Sequence, residues 1–91
     1  MTSCEVAITN ELGLHARAAA RFVHAASGFA ARVRVIHRGR EMDGKSIMGL
    51  LLLAAARGSL ITITAAGPDE AEAVAALRAL VERGFGEAPC A

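Results

Sequence analysis

The spacing of apolar residues in this chain switches repeatedly between two periods, and only layered strands and helices accommodate that. Cys4, Val6 and Ile8 alternate with Glu5, Ala7 and Thr9, which predicts a half-buried strand over residues 4–9. From Ala16 to residue 27 the spacing becomes three and four. Ala19, Phe22, Val23 and Ala26 then form one stripe of a helix that Gly28 is expected to close, with Arg17, Arg21 and His24 on a solvated face. Arg32-Val33-Arg34-Val35 alternates again, Arg38-Gly39 is a tight turn, and Arg40 to Asp43 returns as a short polar strand suited to a sheet edge. Ser46 is placed to cap a helix from Ile47 to about Ala56, closed by Gly58. Leu60 to Ala65 forms a fourth strand, with Ile61 and Ile63 on one face and Thr62 and Thr64 on the other, broken by Gly67-Pro68. Asp69 and Glu72 have the spacing of a capping box, opening a last helix to about Arg83 on a stripe of Val74, Leu77 and Val81. The order β-α-β-β-α-β-α predicts an α/β sandwich over residues 1–91, one domain with a core at about 4–85 and a frayed tail from Gly86 to Ala91. Helices cover one face of the sheet, and Glu5, Arg32, Arg34, Thr62 and Thr64 supply the exposed face.

Composition narrows the function classes. A net charge of +1 gives no electrostatic case for nucleic acid or an anionic membrane as partner, and three Phe without Tyr or Trp leave little surface for stacking bases. The longest apolar run, Ile47 to Ala56, is too short to span a bilayer. Met1 to Glu5 show no basic region leading into an apolar one, so no secretory signal is expected, and the chain reads as soluble and cytoplasmic. Cys4 and Cys90 read as incidental thiols rather than a structural disulfide. No metal or other cofactor is expected. His24 lies nine residues beyond His15, about 180° around a helix, and no Cys or carboxylate cluster accompanies His15, His24 or His37. A Ser-His-Asp hydrolase would need a nucleophile elbow that is absent.

Two stretches carry chemistry. In Gly13-Leu14-His15-Ala16-Arg17, the glycine permits a strand-to-helix turn and His15 falls at the N-cap or first turn of the helix. The first N–H groups of a helix lack intrahelical partners and carry its positive dipole end, which makes an anion site. There a ring nitrogen of neutral imidazole is available as a nucleophile, and the fork of Arg17 suits phosphate oxygens. The second stretch is the middle helix. Ile47, Met48, Leu50, Leu51, Leu52 and Leu53 leave it no polar face. If Leu50 and Leu53 face the sheet, Met48, Leu51 and Leu52 cannot all follow, because successive positions are about 100° apart. Either the helix is deeply buried or it exposes an apolar patch of the kind that marks a partner surface.

Taken together, Gly13-Leu14-His15-Ala16-Arg17 and Gly44-Lys45-Ser46-Ile47-Met48-Gly49-Leu50 resemble the HPr phosphocarrier family of the bacterial phosphotransferase system, across about residues 4–85. The resemblance implies an open-faced β-sandwich, a four-stranded antiparallel sheet with three helices on one side. It implies a stoichiometric carrier rather than an enzyme: His15 takes phosphate on Nδ1 from phospho-Enzyme I and passes it to a histidine of a IIA domain. The Arg17 guanidinium and the amides of Ala16 and Arg17 would stabilise that group. Ser46 corresponds to a regulatory phosphorylation site, which would add an HPr kinase/phosphorylase as a partner. Ile47, Met48, Leu51 and Leu52, with Ala20 and His24, are the residues expected to meet partners, the start of the middle helix is expected near His15, and the chain is expected to be a monomer. One departure is Ala18, where the family usually has proline after the arginine. Alanine suits a first turn and keeps an N–H. The rival reading is an HPr-like regulatory binding module that docks proteins without carrying phosphate on His15.

Overall fold

Alternating segments become strands, and three-four spacing becomes helices. The computed structural model describes residues 1–86; of the tail expected to fray from Gly86, Gly86 itself belongs to an ordered 3-10 turn, and residues 87–91, with Cys90, lie outside the described residues. The elements are β1 (Thr2–Ala7), α1 (Ala16–Ala26), β2 (Arg32–His37), β3 (Arg40–Asp43), α2 (Ile47–Leu53), β4 (Leu60–Ala66) and α3 (Glu70–Glu82), followed by a short 3-10 turn at Gly84–Gly86. The strands form one antiparallel sheet in the order β1-β4-β2-β3. This is the open-faced sandwich with three helices.

Register explains the two faces. Ile63 pairs with Cys4 on one side and Val35 on the other, so these side chains form a row on the helix-covered face. Against it pack Ala18, Ala19, Phe22 and Ala26 of α1, Leu50 and Leu53 of α2, and Ala73, Val74, Leu77 and Val81 of α3, all buried. Truncating fully buried Phe22 to alanine would cost about 3–5 kcal/mol. The row Ser3, Thr64, Arg34 and Asp43 runs across the open face. Thr64, expected to be exposed there, is only 8% exposed, because it lies mid-sheet between Ser3 and Arg34.

Four local expectations fail for identifiable reasons. Gly28 does not close α1 in a left-handed conformation. Ser27 is the C-cap, and the N–H groups of Ser27 and Gly28 already satisfy Val23 and Ala25 carbonyls. The buried stripe of α1 includes Ala18 while Val23 is half-buried, a rotation towards the earlier residue. The middle helix ends at Leu53, with left-handed Ala54 at φ 52°, instead of running to about Ala56 and closing at Gly58. Beyond it the Ala55 carbonyl accepts from Leu14 N–H at 2.9 Å, which draws the chain off the helical path. The capping box does not form. Asp69 makes no side-chain cap, because its carboxylate accepts from Ala30 and Ala31 N–H at 2.8 Å each, fastening the start of α3 to the loop before β2.

Glu70 serves the end of β4 instead. Its carboxylate accepts from the Thr2 hydroxyl at 2.6 Å and from Gly67 N–H at 3.2 Å, and lies 3.1 Å from the terminal amine. The Thr2 bond first, then the Gly67 amide, hold its pKa down to about 2 from an ordinary 4.5. Asp69 is shifted the same way, chiefly by the Ala30 amide. A carboxylate with a depressed folded pKa contributes stability above its unfolded value, and this is lost as pH falls through the folded value. Urea midpoints should therefore decline between about pH 4.5 and 2. Glu70→Gln should flatten part of that decline, and an identical pH profile in the variant would remove Glu70 from the account.

Candidate functional site

His15 is held by the residues before it. After β1, Ile8 N–H donates to Ser59 O and Gly58 N–H to Ile8 O, both at 2.8 Å, so the chain turns from a fixed point. Gly13 N–H donates to Asn10 O at 3.2 Å, and Asn10 Nδ2 donates to Gly13 O at 2.7 Å. Gly13 has φ 66°, and a Cβ there would sit 2.6 Å from Ala55 O and 2.9 Å from Ala56 Cα. Only glycine satisfies both demands. Leu14, bonded to Ala55 and 6% exposed, pins the next residue in place. Sequence reasoning singled out Gly13 but passed over Asn10 and Ala55. An Asn three residues before a turn glycine was an available signal for the first, whereas nothing local marks the second.

His15 is the N-cap of α1 in an extended backbone conformation, and it is half-buried. Its Nδ1 accepts from Arg17 N–H at 3.2 Å. In neutral imidazole the lone pair is then on Nδ1 and the proton on Nε2. The unprotonated nitrogen thus faces the first N–H groups at the positive end of the helix. Arg17 is exposed, and among the described residues its guanidinium takes no hydrogen bond or ion pair. It lines a shallow groove between α1 and α3 with Ala20, Arg21, His24, Ala25 and Leu80, so Arg17, Ala20 and His24 do share one surface. Arg21, placed on a purely solvated face by the spacing, donates to Phe85 O at 2.7 Å and ties the end of the described chain to α1.

Ser46 caps α2, its Oγ accepting from Gly49 N–H at 3.0 Å. Leu50 and Leu53 turn inward, while Met48 is 68%, Leu52 51% and Ile47 42% exposed. Leu51 is half-buried against the core, so the outward band is centred on Met48 and Leu52. The expectation that the start of α2 adjoins His15 needs correcting. Lys45 Nζ reaches Phe29 O at 2.8 Å, beyond the far end of α1, whereas Ala55 meets Leu14. The two helices run antiparallel, and the segment after α2 holds the His15 turn. Among the described residues no group of three or more His, Cys, Asp or Glu side chains is placed to hold a metal ion. No helix there is long and apolar enough to cross a membrane.

Gly13→Ala should destabilise the fold by about 2–4 kcal/mol, combining a left-handed alanine with overpacking against backbone. Urea unfolding at neutral pH measures it. An unchanged midpoint would mean that the turn is not seated on Ala55.

Residues 2–83 match the family described as the PTS HPr component phosphorylation site. The chain is 47% identical over 87 residues to phosphocarrier protein HPr of Cupriavidus necator, covering 96% of this chain and 98% of that one. To phosphocarrier protein NPr of Escherichia coli K12 it is 43% identical over 83 residues, covering 90% and 92%. The crystal structure of HPr-C-His from Thermoanaerobacter tengcongensis matches with a TM-score of 0.93 at 41% identity, covering 97% of this chain and 99% of that one. The likeness thus spans the histidine turn, the capped middle helix and the whole sheet, and the chain belongs to the HPr family of phosphocarriers of the phosphotransferase system.

Proposed function

We propose that this phosphocarrier accepts a phosphoryl group on His15 Nδ1 from phospho-Enzyme I and delivers it to a histidine of a IIA domain, in the cytoplasm. The observation that carries the reading is the bond from Arg17 N–H to Nδ1 at the start of α1. When the lone pair attacks phosphorus, the Nδ1–P bond forms as the bond from phosphorus to the donor's histidine breaks. The N–H of Arg17 loses its acceptor and turns to a phosphoryl oxygen. With phosphorus on Nδ1 and the proton still on Nε2 the ring becomes positively charged, and it returns to neutral when Nε2 gives that proton to solvent. The arriving group is anionic. The N-terminal amides of α1 and the Arg17 guanidinium meet that charge. Positioning and charge stabilisation are what phosphoryl transfer requires of a protein. Because the helix end is exposed, stabilisation stays moderate, and the group can be passed on.

Ser46 is the proposed regulatory site. Its phosphorylation by a dedicated kinase would replace a neutral cap with about −1.5 to −2 charges beside the exposed Ile47 and Met48, deterring an acidic partner surface.

Incubation with Enzyme I and labelled phosphoenolpyruvate tests the reading. The wild-type chain and His24→Ala should take acid-labile, alkali-stable label, and His15→Ala none. Stoichiometric labelling of His15→Ala would overturn the assignment. Arg17→Lys keeps the charge but loses the fork and should slow transfer about tenfold or more, with an intact fold. Unchanged rates in both half-reactions would remove Arg17 from the mechanism.

A further inference from the structure

Leu12 is a large side chain whose placement nothing in the fold accounts for. The bond from Gly13 N–H to Asn10 O makes Glu11 and Leu12 the central residues of a turn, at its apex. Gly13 and Leu14 are buried, whereas Leu12 is 70% exposed. Turn positions of this kind favour Asn, Asp, Ser or Gly, which bond locally or relax the backbone. Leucine gains nothing here from its own chain. Yet the turn is fixed from both sides, by Asn10 on Gly13 O and by Ala55 on Leu14 N–H. A side chain displayed on a fixed turn brings a smaller ordering cost to an interface than one on a mobile loop.

We propose that Leu12 is an apolar docking anchor for the protein that delivers phosphate to His15. The inference rests on the reading of His15 as phosphoryl acceptor. Direct transfer requires the donor's phosphohistidine to come within bonding distance of His15 Nδ1, so the contact is centred there. A contact of standard size covers about 800 Å² of each partner, a disc of about 16 Å radius. The Cα of Leu12 is three steps of about 3.8 Å from that of His15, at most about 11 Å away. It therefore falls inside the footprint. An apolar side chain that an interface buries fully can carry a disproportionate share of its energy. The donor must oppose Leu12 with an uncharged apolar hollow.

Initial rates of phosphoryl uptake from Enzyme I and phosphoenolpyruvate, measured against chain concentration, test this for wild type, Leu12→Ala, Leu12→Met and Leu12→Asp. Uptake from phosphoramidate, a small donor that needs no docking, is measured in parallel, with melting temperatures. The expected result is a KM about tenfold higher for Leu12→Ala and higher still for Leu12→Asp, near wild type for Leu12→Met, with kcat for Leu12→Ala within about twofold. Phosphoramidate rates for Leu12→Ala and all melting temperatures should match wild type. Wild-type KM in both Leu12→Ala and Leu12→Asp would overturn the anchor while leaving His15 as acceptor. A loss in Leu12→Ala that appears equally with phosphoramidate would also overturn it, assigning Leu12 to the turn. A wild-type chain that takes no phosphate from Enzyme I would overturn the parent reading and the anchor with it.

Discussion

The contact between Gly13–Leu14 and Ala55–Ala56 is where the histidine turn and the middle helix are made one unit. It is a meeting of backbones: the Leu14 amide bonds to the Ala55 carbonyl, and a missing Cβ lets the chains close. Neither segment would hold its shape alone. A seven-residue helix has little stability of its own in water, and its terminal Ala54 sits in left-handed space that alanine disfavours. The turn, in turn, owes its direction to the carbonyl that the end of that helix presents. Thus the orientation of His15 is set by residues forty positions away, through main-chain geometry that side-chain chemistry does not reveal.

The same division runs through what the amino-acid sequence disclosed. Periodicity located β1, β2, β4, α1 and α3, because Ile61 and Ile63 or Phe22 and Ala26 can be buried only by one local conformation, while β3 and α2 were placed by the Arg38-Gly39 turn and the Ser46 cap. Motif spacing reached the His15 cap and the Ser46 cap, since both depend on residues within three positions. What escaped was settled between distant segments. Asp69 has the spacing of a local cap but serves Ala30 and Ala31, and the carbonyl of Ala55 truncates a helix whose composition would continue to Ala56. The antiparallel course of α1 and α2 likewise has no local signature, so the sequence could not say which end of α2 lies beside the histidine.

Ala18 illustrates how a departure from the family pattern is absorbed. It is fully buried as the third residue of α1, so its methyl group packs against the core where a proline ring would otherwise lie. Proline would supply a preset dihedral at this helix start and no donor. Alanine instead leaves a third amide in the first turn, on the same positive end that faces His15. The cost falls on the unfolded chain, which is freer with alanine than with proline.

The strand order has a consequence for synthesis of the protein. Thr2 pairs with Ala65 and Ala7 with Leu60, so the first strand has no neighbour in the sheet until the fourth has been made. Contacts of such sequence separation form slowly, because a long loop must close before any of them stabilises it. On the ribosome, β1 and the histidine turn therefore wait, unpaired, for more than half of the chain to emerge. The segment that aligns His15 is also the one just ahead of β4. A nascent chain thus assembles its histidine turn only when its sheet can close, and an incomplete chain presents His15 without the backbone contacts that orient it.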